Sequence, residues 1–345
     1  MTMRRLLNTL YIFTEDAYLS LDGENVVAKS NGEAIGRVPL HTLEGIISFS
    51  YAGASPALMG ACAERGVSLC FYDRNGRFLA CAGGKVAGNV LLRKRQYSWS
   101  ENEDKALGIA RNCIIGKIYN SRWVLERALR DHSPCIDSTV VSRASEKLAE
   151  SISRVRACDS LDSLRGIEGD AASNYFAVLD ELFLREKDFF FFRERTRRPP
   201  TDAVNAMLSL FYSVLSRDCA NALMSVGLDP YVGFLHTDRP GRQSLALDCM
   251  EELRSPFVDR FVVSSVNNRI INPKHFEFRE TGEVHLTDEG RRILFSRWQE
   301  RKRESITHPF TKEKVPWGLV PFLQARLLAK CIHGEIDGYP PFLWK

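Results

Sequence analysis

Between Gly233 and Arg254 the chain reads Gly-Phe-Leu-His-Thr-Asp-Arg-Pro-Gly-Arg-Gln-Ser-Leu-Ala-Leu-Asp-Cys-Met-Glu-Glu-Leu-Arg. His236 ends an apolar run, and Arg239 and Arg242 flank a Pro240-Gly241 turn. A helix starting near Ser244 then carries Asp248, Glu251 and Glu252. A histidine and carboxylates beside arginines are the groups a divalent-metal site acting on a phosphodiester needs. On that helix Ser244, Asp248, Glu251 and Ser255 share one face, while Ala246, Cys249, Met250 and Leu253 make the apolar face. The same residues also suit a polar loop before a solvated helix, and a lone histidine after an apolar run is more often structural than a ligand. The stretch does not settle its own chemistry.

A further carboxylate lies some way upstream. Leu161, Leu164, Tyr175, Phe176, Leu179, Leu182 and Phe183 mark one helical stripe. Counting by sevens from Leu161 gives Glu168, Tyr175 and Leu182, so Glu168 is expected to face the core. Burying an unpaired carboxylate costs several kcal/mol or shifts its proton affinity. Its partner is either Arg165, three residues back, or a metal ion shared with other ligands. Gly166, Gly169, Ala171 and Ala172 leave room beside it for another segment to approach.

Between these stretches Phe189–Phe192 lead into Arg193, Arg195, Arg197 and Arg198. Four phenylalanines are too short for a membrane and read as core, and the arginines concentrated after them suit phosphate contacts. A surface ion-pair network with Glu186, Asp188 and Glu194 is the competing reading. After Pro199-Pro200, Thr201 or Asp202 can cap a helix over Ala203 to Leu215. Asn205 and Ser209 on that helix are expected to be buried hydrogen-bonding groups without chemistry of their own.

The elements that must position these groups fall into two parts. The 345 residues are enough for two domains with sizeable cores. Up to residue 83 short β-rich runs recur (Leu10–Thr14, Tyr18–Leu21, Asn25–Ser30, Ala34–Pro39, Gly45–Phe49, Ser68–Tyr72, Phe78–Ala82), separated by turn signals such as Asn31-Gly32 and Asp73-Arg74-Asn75-Gly76. One helix from Ser55-Pro56 to Arg65 interrupts them, closed by Gly66. The pattern suggests a small β-sandwich and not an alternating βαβ sheet. Gly83-Gly84-Lys85 lacks the spacing and context of a phosphate loop. From Arg93-Lys94-Arg95-Gln96-Tyr97 onward helical patterns dominate, beginning with a long helix, Lys105 to Arg130, decorated by Lys117, Arg122, Arg127 and Arg130. The expected fold is therefore α+β: an N-terminal β-sandwich domain over residues 1–92, then a larger all-helical domain over 93–345. Near the end, helices are expected over Asp288–Lys302 and Gly318–His333, a hairpin over Phe276–Phe278 and Val284–Leu286, and a tail from Gly338 packed on the surface.

Composition narrows the class. Hydrophobic content of 44% with 26% charged residues is ordinary for a soluble globular protein, and a net charge of +4 does not by itself call for a polyanion. Nine cysteines, none in a CxxC pair, argue for buried free thiols and against a zinc ribbon or a secreted disulfide framework. The apolar start is broken by Asn8 and Thr9 and followed by Glu15 and Asp16, unlike a signal peptide. No run reaches the roughly 18 to 20 apolar residues of a membrane span, so the chain is expected in the cytoplasm.

Three ordered segments resemble one family. Leu164-Arg-Gly-Ile-Glu-Gly-Asp-Ala-Ala-Ser-Asn-Tyr-Phe176, Arg197-Arg-Pro-Pro-Thr-Asp-Ala-Val-Asn-Ala-Met-Leu-Ser-Leu-Phe-Tyr212, and Gly233-Phe-Leu-His236 followed by Ser244-Leu-Ala-Leu-Asp-Cys-Met-Glu251 are similar to the motifs of the CRISPR-associated adaptation integrase, the universal spacer-acquisition nuclease. The length and the N-terminal β part resemble the version found with subtype I-C systems. The resemblance implies a divalent metal, Mg2+ or Mn2+, held by Glu168, His236 and Glu251 as the catalytic centre, with Asp248 supporting and Glu252 facing solvent. Where some relatives carry aspartate as the last ligand, this chain has Glu251. It implies a homodimer that joins the small second CRISPR adaptation protein and inserts short DNA duplex fragments at a CRISPR leader-repeat. Arg193, Arg197, Arg198, Arg239 and Arg242 are the expected backbone contacts. The competing readings are a non-catalytic nucleic-acid-binding scaffold, with Glu168 paired to Arg165 and His236 structural, and a metal phosphohydrolase of small substrates.

Overall fold

The computed structural model describes residues 8–43, 45–73, 78–82, 90–197 and 199–345. The expected turn after Asp73 and the Gly83-Gly84-Lys85 segment lie outside the described residues. The N-terminal β-rich runs form β1 (Thr9–Ile12), β2 (Tyr18–Asp22), β3 (Asn25–Ser30), β4 (Glu33–Pro39), β5 (Gly45–Ser48), β6 (Ser68–Tyr72) and β7 (Phe78–Ala82). Strands β2, β3 and β4 make an antiparallel meander. Its second turn has Asn31 at φ 51° and Gly32 at φ 84°, the paired positive φ of a type I′ hairpin.

The other four strands form a sheet in the order β1-β5-β6-β7, and here the pairing departs from the sequence expectation. Strands β1, β5 and β6 run parallel, with only β7 antiparallel. Helix α1 (Pro56–Arg65) is the crossover that parallel neighbours β5 and β6 require. It begins where expected, with Ser55 Oγ accepting from the Leu58 N–H at 3.2 Å, and ends at Gly66 in the left-handed region. Every residue of β5 is buried, because the sheet is covered on both faces. Ile46 and Leu69 join Leu19, Val26, Leu58 and Cys62 in one apolar cluster, while the alternate residues Ile47, Cys70 and Tyr72 join the core of the helical part. Phe49 lies 5.3 Å from Phe295 across that contact.

The helical part comprises α2 (Val90–Glu101), α3 (Glu103–His132), α4 (Ser138–Ala157), α5 (Leu161–Phe176), α6 (Ala203–Ser225), α7 (Ser244–Glu251), α8 (Arg260–Asn267), α9 (Asp288–Arg303) and α10 (Val320–His333). Two small hairpins, β8 (Phe276–Phe278) with β9 (Val284–Leu286) and β10 (Ser305–Thr307) with β11 (Lys314–Pro316), punctuate its end; the second had no sequence signal. Helix α3 is the spine, touching α4, α5 and α7. Asp202 caps α6 by accepting from the Asn205 N–H at 2.7 Å. Helix α5 stops at Phe176, and a separate turn over Leu179–Leu182 carries the remaining leucines. Its buried stripe is Leu164, Ile167, Ala171 and Tyr175, which leaves Glu168 beside the stripe and not in the core. The sevenfold count started from Leu161, which is itself only partly buried at the edge of the stripe, so its next step falls at the edge as well. Among the described residues no helix is long and apolar enough to cross a membrane. The cysteines are free thiols, mostly buried, as expected.

The C-terminal tail is the other departure. It was expected on the surface, yet Tyr339, Phe342 and Trp344 are buried against α3 and α10. Asn120 of α3 donates to Phe342 O at 2.7 Å and accepts from Trp344 N at 2.8 Å. Glu252, expected to face solvent, is fully buried beneath the tail. It accepts from the Tyr339 hydroxyl, the Phe342 N–H and, at 3.2 Å, Gln324 Nε2. These donors are neutral, so burial prevails and pushes the Glu252 carboxyl up to about 8. A carboxyl whose affinity for a proton is raised on folding favours the fold at low pH and withdraws that support as pH rises. Glu252→Gln is therefore expected to flatten the fall in stability between about pH 5 and 8, read by urea denaturation in a chelating buffer.

Candidate active site

The loop before α7 is held by one carboxylate. Asp248 has no exposed surface, and it accepts from three successive backbone N–H groups, those of Phe234 (2.7 Å), Leu235 (3.0 Å) and His236 (3.1 Å). A fourth bond comes from the His236 ring, Nδ1 to Asp248 Oδ1 at 2.6 Å. Since the carboxylate accepts, Nδ1 is the donor, and Nε2 of the neutral ring keeps its lone pair. The close approach requires Gly233: a Cβ there would lie 2.9 Å from Asp248 Oδ2 and 2.9 Å from Ser244 Cβ. From the other side Arg165 donates through Nε and Nη2 to Leu235 O, at 3.1 and 3.0 Å. Arg165 also pairs with Asp162, so it is not the partner of Glu168 as one sequence reading had it.

That partner is Lys117 of α3. Its ammonium contacts Glu168 Oε1 and lies 2.7 Å from Glu251 Oε2. The second contact is an ion pair without hydrogen-bond alignment, and it leaves Glu251 Oε2 buried with no properly directed donor. Arg254 reaches Glu251 Oε1 at 3.0 Å, and His236 Nε2 lies 3.9 Å from the same atom. Burial opposes ionisation of Glu251, but the charges of Arg254 and Lys117 outweigh it and bring the carboxyl down to about 2. Glu251 is 4% exposed at its side chain and Glu168 27%, which puts Glu168 at the mouth and Glu251 at the floor.

Below the floor, Arg254 stacks over the Tyr212 ring at 4.8 Å. The Tyr212 and Tyr175 hydroxyls donate to buried Asp259, whose carboxyl burial pushes up to about 6. Lys117 and Arg254 were not singled out as site residues from the sequence. The signal for Lys117 was its place between Cys113 and Ser121, four residues either way, on the buried face of α3.

These groups line one cleft of about 320 Å³, which also takes in Arg197 and Arg242. Arg193 and Arg239 are exposed outside it, Arg193 lying over the Phe191 ring, and Arg198 lies outside the described residues. Arg195 turns inward to Asn205 Oδ1 (2.7 Å) and Ser209 Oγ (3.0 Å), so one arginine of the connector is structural. Asn205 and Ser209 are thus hydrogen-bonding groups, as expected. Among the described residues no three His, Cys, Asp or Glu side chains already converge at metal-ligand spacing, because the Lys117 ammonium stands between the two glutamates.

The family model described as CRISPR associated protein Cas1 matches residues 10–300. The chain belongs to the Cas1 family of CRISPR-associated endonucleases. It is 49% identical over 347 aligned residues to the CRISPR-associated endonuclease Cas1 2 of Rhodospirillum rubrum, covering 99% of this chain and 100% of that one. In fold it is similar to a casposase bound to integration product, with TM-score 0.84 and 24% identity over 97% of this chain and 93% of that one. A Cas6-RT-Cas1–Cas2 complex contains a chain of like fold, with TM-score 0.81 and 24% identity over 100% of this chain and 37% of that one. The cleft of this Cas1-family endonuclease is thus lined by Glu168, His236 and Glu251, with Asp248 buried behind His236.

The close contact at Gly233 makes a test of the loop. Gly233→Ala should lower stability by about 1–3 kcal/mol, the usual cost of overpacking, measured by urea denaturation. Endonuclease activity should fall with it as His236 is displaced. Unchanged stability would mean that the loop is not held against Asp248.

Proposed function

We propose that the chain is a metal-dependent DNA integrase and endonuclease that inserts short duplex fragments into a CRISPR array, with Glu168, His236 and Glu251 holding the cation and Asp248 orienting His236. The observation that carries this is the pair of carboxylates, Glu168 and Glu251, turned toward one cation, the Lys117 ammonium, beside the free Nε2 of His236. Two hard oxygen donors and one imidazole suit Mg2+ or Mn2+, and the buried, poorly partnered Glu251 Oε2 fits a ligand atom. Held by Glu168, His236 and Glu251, a divalent cation would supply Lewis-acid polarisation of the phosphoryl oxygen and charge stabilisation for the leaving oxygen.

The protein's own groups do the rest. Asp248 fixes the His236 tautomer, the outer contact that orients a metal-binding imidazole. Lys117 compensates Glu168 and Glu251 when no metal is present and withdraws when one binds. Arg197 and Arg242 on the cleft wall, Arg193 and Arg239 further out, and Arg198 from its place in the same connector sequence, contact the DNA backbone. In the reaction a fragment's 3′-hydroxyl oxygen bonds to phosphorus, and the opposite P–O bond breaks. One phosphodiester replaces another, the proton of the attacking hydroxyl is lost, and the departing 3′-oxygen takes one up. With water as nucleophile the same site cuts DNA.

The wider assignment rests on the sequence motifs and on the named relatives. The casposase of like fold is bound to an integration product, and the Cas6-RT-Cas1–Cas2 complex pairs a like fold with Cas2. We accordingly assign a homodimer, the small second CRISPR adaptation protein as partner, and a cytoplasmic location. Residues 1–92 form a sandwich-like domain for dimer and partner contacts, residues 93–345 form the catalytic domain, and the subtype I-C version fits the chain's length. A non-catalytic scaffold is not favoured, since it has no use for two carboxylates facing one cation.

Strand transfer of a fluorescent 3′-hydroxyl fragment into a leader–repeat plasmid tests the reading. Glu168→Ala, or chelation, should cut product by at least about 10–100-fold, the range seen when even an outer metal partner is lost, while DNA binding by gel shift persists. Undiminished product in chelator would overturn it. Lys117→Met gives a separate check. In chelator it should cost about 3–5 kcal/mol, as for breaking a buried ion pair, and Mn2+ should restore most of that. Equal destabilisation with and without Mn2+ would remove Lys117 from the cation's place.

A further inference from the structure

A second reactive cluster lies in another cavity, of about 350 Å³, between the four-stranded sheet and α6 and α10. It shares no lining residue with the endonuclease cleft. Strands β6 and β7 pair so that Cys70 stands directly opposite Cys81. The sulfurs are 3.3 Å apart, with the Cys70 thiol donating to Cys81 Sγ. Arg217 Nε of α6 donates to Cys70 Sγ at 3.3 Å. Ser68 Oγ lies 3.1 Å from Cys70 Sγ and 3.8 Å from Cys81 Sγ, and is itself fixed by Asn221 Nδ2 at 2.9 Å. Cys70 is buried, whereas Cys81 is partly open to solvent, and both line the cavity.

We propose that Cys70 and Cys81 form an oxidisable dithiol site whose oxidant is a small hydroperoxide and whose product is a Cys70–Cys81 disulfide. Opposed residues of an antiparallel pair sit about 4.5–5.5 Å apart at Cα, inside the roughly 4.4–6.8 Å that a disulfide spans. The sulfurs need only close from 3.3 Å to bonding distance. Cys81 is the attacking sulfur. The hydrogen bond from Cys70, against opposing burial, and the positive charge of Arg217 bring its thiol down to about 6, while the same hydrogen bond pushes Cys70 well up. Asp218 and Lys302, the other charged groups of the cavity wall, pair with each other at 3.1 Å.

In the first step the Cys81 thiolate attacks a peroxide oxygen. An S–O bond forms, the O–O bond breaks, and the departing oxygen takes a proton to leave as water. In the second step Cys70 loses its proton and attacks the Cys81 sulfur, expelling the oxygen as a second water. Two thiols and one hydrogen peroxide give one disulfide and two waters; the sulfurs lose the two electrons that the peroxide gains. A dithiol reductant reverses the change by exchange.

The test treats fully reduced, full-length protein with hydrogen peroxide, quenches with an alkylating agent and maps peptides without reduction. A linked pair of peptides carrying Cys70 and Cys81, about 2 Da lighter than the dithiol, should form before the exposed Cys135 is oxidised and should disappear with dithiothreitol. Cys70→Ser should trap Cys81 as the sulfenic acid, labelled by dimedone faster than Cys135. Arg217→Gln should slow both reactions several-fold, and the two wild-type and Cys70→Ser readouts stand even if that variant does not fold. The proposal fails if Cys135 oxidises as fast as the pair and no linked peptides form, or if dimedone labels Cys81 in Cys70→Ser no faster than Cys135.

Discussion

The candidate active-site cleft depends on one buried carboxylate. Asp248 is removed from water, and its charge is tolerable only because four donors surround it. Three of those donors are successive backbone N–H groups, so satisfying Asp248 fixes the path of the chain from Phe234 to His236. The fourth is the imidazole, so the same carboxylate fixes the ring's orientation and tautomer. Gly233 is needed because the loop must come this close to α7. The arrangement makes the position of His236 a consequence of desolvation and not of the loop's own preference.

Around that anchor the charges are graded by depth. Glu168 sits at the mouth, Lys117 between the glutamates, and Glu251 at the floor with Arg254 behind it. Arg254 belongs to a π-helical segment, Arg254–Asp259, that follows α7 and carries Asp259 beneath Tyr212 and Tyr175. Wide turns of this kind often mark functional sites, and here one segment supplies both the cation that holds Glu251 and the carboxylate that braces Tyr212 under it.

Two adjacent glutamates show how partner charge decides a carboxylate's state. Glu251 and Glu252 are both buried. Glu251 faces the charges of Arg254 and Lys117 and is brought down to about 2, whereas Glu252 meets only neutral donors from the tail and α10 and is pushed up to about 8. Consecutive helix residues point about 100° apart, which sends one into the cleft and the other under Tyr339 and Phe342. Glu252 thereby ties the end of the chain to the back of the same helix turn that presents Glu251.

Residue types and local spacing determined much of this. The strand positions followed from turn residues, and α1 from its Ser55-Pro56 start and Gly66 stop; these are short-range signals, in which a backbone conformation or a helix face is set by neighbours in the chain. The candidate set Glu168, His236, Asp248 and Glu251 came from the resemblance of ordered motifs to a known family, since the residues alone left structural readings open. What tertiary structure decided was long-range. It made β1, β5 and β6 parallel, since alternation marks a strand but not its partner. It gave Glu168 to Lys117 of α3 and not to the nearby Arg165, whose guanidinium is taken by Leu235 O and Asp162. It buried Glu252 and the tail, because the donors that make a buried carboxylate tolerable come from α10 and the last residues of the chain. Pairing between charges distant in sequence depends on how helices cross, and no local pattern encodes that.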